Sequence, residues 1–83
     1  MQALADIVLI ESRCRQLAVD YGRLFVFAER NGIRPVEVMP AGGRRAAFEA
    51  AYQRRARETK DERLCGDLAA ERDATVPGVF TSR

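Results

Sequence analysis

Residues 3–28, ALADIVLIESRCRQLAVDYGRLFVFA, carry the reading on which the fold turns. Ala3, Ile7, Ile10, Cys14, Leu17, Tyr21, Leu24 and Ala28 follow one another at spacings of 4, 3, 4, 3, 4, 3 and 4. Uninterrupted 3–4 spacing places side chains on one seam of a helix. Leu4, Val8, Ala18 and Phe25 widen that seam, while Asp6, Glu11, Arg13, Asp20, Arg23 and Glu29 fall off it. The pattern predicts a single helix over about 2–30, ended at Asn31-Gly32, where glycine can take the left-handed cap and Pro35 follows. Such a rod is about 45 Å long, more than a small globule can wrap, so a partner of similar length is expected.

Downstream, residues 33–43 (IRPVEVMPAGG) hold two prolines and two adjacent glycines, enough to exclude a long helix or a central strand. Helical composition resumes at Arg44, with Phe48, Tyr52 and Ala56 recurring every fourth residue. A second helix is expected over about 44–65, antiparallel to the first, with Gly66-Asp67 ending it and capping a short third helix. Residues 75–83 (TVPGVFTSR) read as an extended tail anchored by Phe80. The expected fold is therefore all-α, one domain over 1–83. A two-helix hairpin has little interior, so dimerisation into a four-helix bundle would complete it. The dimer seam would use Ile7, Ile10, Cys14, Leu17, Tyr21, Leu24, Phe48 and Tyr52.

With 83 residues, 14 Lys+Arg against 12 Asp+Glu and a formal charge of +2, the chain has the balance of a folded domain and no strong polyanion signature. There is no histidine, which removes the commonest general base and zinc ligand together. No serine has an activating partner, and Gly42-Gly43-Arg44 lacks the spacing and lysine of a phosphate loop. An enzyme is not expected, nor a metal, a cofactor or a small-molecule ligand.

Cys14 and Cys65 lie too far apart for a CxxC pair. One interhelical disulfide is open to them; the reading preferred is two reduced cysteines acting as small apolar residues. The apolar run Ile7–Ile10 is far shorter than a signal core or the ~20 residues of a membrane span, so a cytoplasmic, membrane-free protein is expected. Thirteen of the fourteen bases are arginine and thirteen residues are alanine, the joint enrichment of a GC-rich coding sequence.

Two surface features bear on function. Leu24-Phe25-Val26-Phe27-Ala28 covers every direction of a helix, so Val26 and Phe27, with Val19 before them, point away from the seam. Val19, Phe25, Val26, Phe27 and Arg30 are read as a protein interface with aromatic anchors, unless the 75–83 tail covers them. The second feature is the arginine-rich stretch 44–63, which carries +3. Arg54–Glu58 and Arg57–Asp61 can pair at i,i+4. Arg44, Arg45, Arg54, Arg55, Arg57 and Lys60 would then steer docking or, in the alternative reading, contact nucleic acid as part of a transcriptional regulator.

Residues 24–43 also resemble a helix-turn-helix, with Ala28 four before Gly32, Ile33 after it and Val38 further on. Pro40 falls inside the would-be recognition helix and Gly42-Gly43 end it after two turns. A helix C-cap followed by a loop is the reading preferred.

Over its whole length the chain resembles, in size and composition, the small proteins encoded early by bacteriophages of GC-rich hosts. That resemblance implies a protein that binds one host protein in the host cytoplasm and blocks it. Its targets would be of the kind of a transcription regulator, a defence complex or the motor ATPase of type IV pili. The expected function is thus a small docking module that inhibits or modulates a larger protein.

Overall fold

The computed structural model describes residues 1–83, and most of them are helical. Helix α1 spans Gln2–Arg13 and strand β1 Leu17–Val19. Helix α2 spans Tyr21–Arg30, the single-turn α3 Pro35–Val38, and α4 Arg45–Glu58. Residues 61–75 run on without a break as α5 (Asp61–Arg63), a π-helical turn (Leu64–Leu68) and α6 (Ala69–Thr75). Strand β2, Phe80–Ser82, closes the chain by pairing antiparallel with β1 in the register Leu17↔Ser82, Ala18↔Thr81, Val19↔Phe80.

The single helix expected over 2–30 is two helices with a strand between them. Helix α1 ends at Cys14, which is extended (φ −108°, ψ 100°), and α2 starts afresh at Asp20. The Asp20 carboxylate accepts the backbone N–H of Arg23 at 3.2 Å, the hydrogen bond of an N-cap. Between the caps, Glu11 accepts the backbone N–H of Val19 at 2.7 Å, and Asp20 N–H donates to the carbonyl of Val79 at 2.7 Å. These bonds replace the helical ones given up at the break. The 3–4 spacing persists across it because both helices turn apolar residues inward: Ile7, Ile10, Cys14, Leu24 and Ala28 are all buried. The molecule measures 32 × 26 × 18 Å, so a rod of about 45 Å has no room in it. Folding back on itself meets the need for burial that the sequence reading assigned to a long partner.

Helix α1 is the axis of the molecule. Leu4, Ala5, Asp6, Ile7, Leu9 and Ile10 are buried on all its sides, as expected of a helix enclosed by neighbours. One set of core contacts joins Leu4 and Ile7 to Leu24, Ala28, Ile33, Phe48 and Val79. Another joins Leu9, Ile10 and Cys14 to Leu64, Leu68 and Ala69. The antiparallel hairpin is also replaced. Gln2 reaches Ala51 and Arg54, while Ser12, at the far end of α1, reaches Tyr52 on the same two turns of α4. Arg13 at the end of α1 pairs with Asp61 just beyond α4, and Leu4 at its start shares a core cluster with Phe48, so the ends do not match as an antiparallel hairpin requires.

Four further expectations change. Helix α4 stops at buried Thr59, six residues before the predicted end. Gly66-Asp67 caps nothing; both residues sit inside the π turn, where the helical path is uninterrupted. The tail is extended, as expected, yet it is an element of the fold: Val76 and Val79 are core residues and Phe80 packs against both sets of core contacts. Cys14 and Cys65 are joined in a disulfide, in place of the two reduced cysteines preferred from sequence. The π turn contains Cys65, and the bond ties it to the end of α1.

The end of α2 follows the sequence reading. Gly32 takes φ +76°, and Ile33 N–H donates to the Ala28 carbonyl at 2.9 Å, the closing bond of a Schellman cap. The helix-turn-helix resemblance fails at its second element, since α3 is one turn long and Met39 beyond it is extended.

Candidate functional site

Helix α2 lies between two clefts, and its sequence decides which side chains face each. Tyr21, Leu24 and Phe25 face the first, shared with α3 and the start of α4; Val26, Phe27 and Arg30 face the second, shared with the end of α6. The first cleft has a volume of about 250 Å³. Leu4, Val8 and Leu24 form its floor with Phe48, and Tyr21, Phe25 and Met39 stand at its margin. Phe25 is 43% exposed and Met39 57% exposed, large apolar side chains left in water beside an apolar hollow. The Tyr21 and Phe25 rings pack against each other, centroids 5.8 Å apart.

The margin is held in place by polar contacts. Tyr21 Oη donates to Glu11; burial, then that carboxylate, pushes the phenol pKa up to about 12. The backbone N–H of Arg34 donates to Glu37 at 2.8 Å and, with the nearby Arg44 and Arg34 guanidiniums, holds that carboxyl below its ordinary range. Arg45 donates to the Val38 carbonyl at 2.9 Å, pairs with Glu49 at 2.8 Å and stacks over Phe48. The Met39–Gly42 turn closes with a bond from Gly42 N–H to the Met39 carbonyl (2.8 Å), and Ala41 there takes the left-handed φ of +70°.

The interface residues read from sequence divide between these clefts. Phe25 belongs to the first; Val26, half exposed, and Arg30 line the second; Phe27 is half-buried against the core. Val19 is buried in β1 and presents little surface. Thr75, Val76 and Pro77 form one wall of the second cleft, so the tail borders the patch and leaves Phe25 and Val26 exposed. The seam residues serve the interior of one chain: Ile7, Ile10, Cys14, Leu24 and Phe48 are buried, Leu17 and Tyr52 half-buried, and Tyr21 exposed.

The basic residues of 44–63 do not converge. Arg44 lies 3.8 Å from Glu37, Arg45 pairs with Glu49 and Arg54 donates to the Gln2 side chain at 2.9 Å. Arg57 and Lys60 are exposed and make no ion pair. The pairs expected along the helix, Arg54–Glu58 and Arg57–Asp61, are not formed; Asp61 instead meets Arg13 at 3.0 Å. Arg55 turns inward. Its guanidinium holds Asp6 in a fork, at 2.9 and 3.2 Å, and Arg72 Nε lies 3.1 Å from the same carboxylate without hydrogen-bond alignment. Asp6 is fully buried, and its hydrogen bond is the main cause that raises the Arg55 pKa. This charged centre was not read from sequence; the one signal for it was a lone carboxylate inside ALADIVLI.

No three His, Cys, Asp or Glu side chains come together as metal ligands, and no helix is long and apolar enough to cross a membrane. The chain matches no protein-family model, and comparisons with curated proteins and with solved structures find no significant match.

Proposed function

We propose that this protein is a non-enzymatic docking module that modulates a larger protein by occupying part of its surface, with the cleft between α2 and α3–α4 as its anchor. The observation that carries this reading is the exposed trio Tyr21, Phe25 and Met39 around an apolar floor. Exposed aromatic and methionine side chains beside a hollow are the composition of an interface core, where a few anchors supply most of the affinity. Val36, 60% exposed on α3, extends the same surface. The alternative, a nucleic-acid-binding regulator, calls for a convergent unpaired basic face. Against it, Arg44, Arg45 and Arg55 are engaged with carboxylates of the same chain.

Affinity capture with the wild-type chain and with Phe25→Asp tests the reading. Loss of the captured protein in the variant, with helical circular dichroism unchanged, is the expected result; equal capture overturns it. Sedimentation of both proteins shows whether the surface joins two copies, since a dimer that Phe25→Asp dissociates makes the partner a second chain. Binding to random duplex DNA with a log–log salt slope of several units would establish the nucleic-acid alternative.

A further inference from the structure

The second cleft, on the opposite side of α2, has a different chemistry. It is an open hollow of about 500 Å³ with Val26, Phe27, Val76 and Pro77 as its apolar surface. Arg23 and Arg30 line it, and no carboxylate does. The two arginines differ in state. Arg23 is positioned: it lies 3.4 Å from Asp20, donates to the Pro77 carbonyl at 3.5 Å and lies over Gly78. A Cβ at Gly78, which has φ +79°, would come within 3.1 Å of Arg23 Nε, so the guanidinium packs closely on the backbone there. Arg30, two helical turns further on at the end of α2, makes no ion pair and no side-chain hydrogen bond, so its fork of donors is free.

We propose that this cleft binds a peptide segment of a partner protein in which a glutamate or aspartate side chain stands beside an aromatic or aliphatic residue. The apolar residue would cover Val26, Phe27 and Pro77, and the carboxylate would be taken by Arg30 with Arg23 as a second cation. A guanidinium matches a carboxylate in a planar, two-bond geometry. A small free anion has nothing to place on the apolar wall. A nucleic-acid backbone would need a longer row of cations than these two. The cleft is separate from the α2–α3 surface, so the inference does not depend on the function proposed there.

The test follows backbone amide resonances of the full chain during titration with a blocked pentapeptide, acetyl-Ala-Phe-Glu-Leu-Ala-amide. Saturable shifts confined to residues 22–31 and 75–78 are expected. Replacing the peptide glutamate by glutamine, or Arg30→Gln in the protein, should weaken binding about five- to tenfold, the loss of one net hydrogen bond at an exposed site. Phe25→Asp, in the other cleft, should leave it unchanged. Equal affinity for the glutamine peptide overturns the proposal, as do shifts elsewhere or none at about 10 mM peptide, an affinity too weak for a specific site. A decathymidylate that moves the same amides at lower concentration than the peptide also overturns it, in favour of nucleic acid.

Discussion

Asp6 is the residue on which the interior depends most. A carboxylate with no exposed surface is costly unless it is paired, and Arg55 and Arg72 reach it from α4 and α6, two elements far apart in sequence. Asp6→Asn would leave two guanidiniums, each about one-fifth exposed, without their anion. We expect a loss of about 2–4 kcal/mol in urea unfolding, below the usual cost of a broken buried pair because both arginines touch water. Replacing all three by apolar residues of similar volume should restore much of it. Tyr21 gives a second prediction. Its phenol is raised from 10.0 to about 12 by burial and by Glu11, so the folded state favours the neutral form. The stability from that preference is present in full below about pH 10 and is lost as pH climbs through about 12. Ultraviolet titration should show a tyrosine ionising near 12, and Glu11→Gln should lower it part of the way, the share due to burial remaining. Tyr21 is 40% exposed, so the effect on stability is small.

At the scale of elements, the instructive case is the break between α1 and α2. The 3–4 spacing was read correctly as burial and incorrectly as continuity, because two short helices packed on one core can keep the same phase. Two local signals for the break were present: Asp20, a strong N-cap residue, and β-branched Val19 before it. Neither outweighs a seam of eight residues until a partner strand is available, and that partner, β2, arrives from more than sixty positions away. The loop between α3 and α4 was legible from its prolines and glycines, but its packing was not. Gly42 lies so close to the Val36 and Glu37 carbonyls that a Cβ would collide with both. Gly42→Ala should therefore cost about 1–3 kcal/mol, the range for overpacking. Because α3 forms one side of the first cleft, it should also alter the environment of Phe25 and Met39, visible as shifted side-chain methyl and ring resonances.

For the whole molecule, the disulfide is the main constraint. An 83-residue domain draws little net stability from its core, and cross-links are a common answer. Closing a loop of separation 51 is worth about 4 kcal/mol in the chain-entropy model. Reduction by a dithiol, or Cys65→Ser with Cys14→Ser, should lower Tm by at least about 10 °C, measured by circular dichroism with and without reductant. Residues 61–68 should loosen first, since they meet α1 through this bond, Leu64 and Leu68. By itself the sequence determined the helical class, the inward seam Ile7, Ile10, Leu24 and Ala28, the glycine cap of α2 and the aromatic surplus near Phe25. All of these follow from side-chain periodicity and backbone preference, which act over a few neighbouring residues. Only the tertiary structure decided that the first helix breaks, that the tail becomes a strand, that the cysteines join and that Asp6 is neutralised by Arg55 and Arg72. Each of those depends on groups that meet across long stretches of chain, and their gain exists only once the core has brought them together.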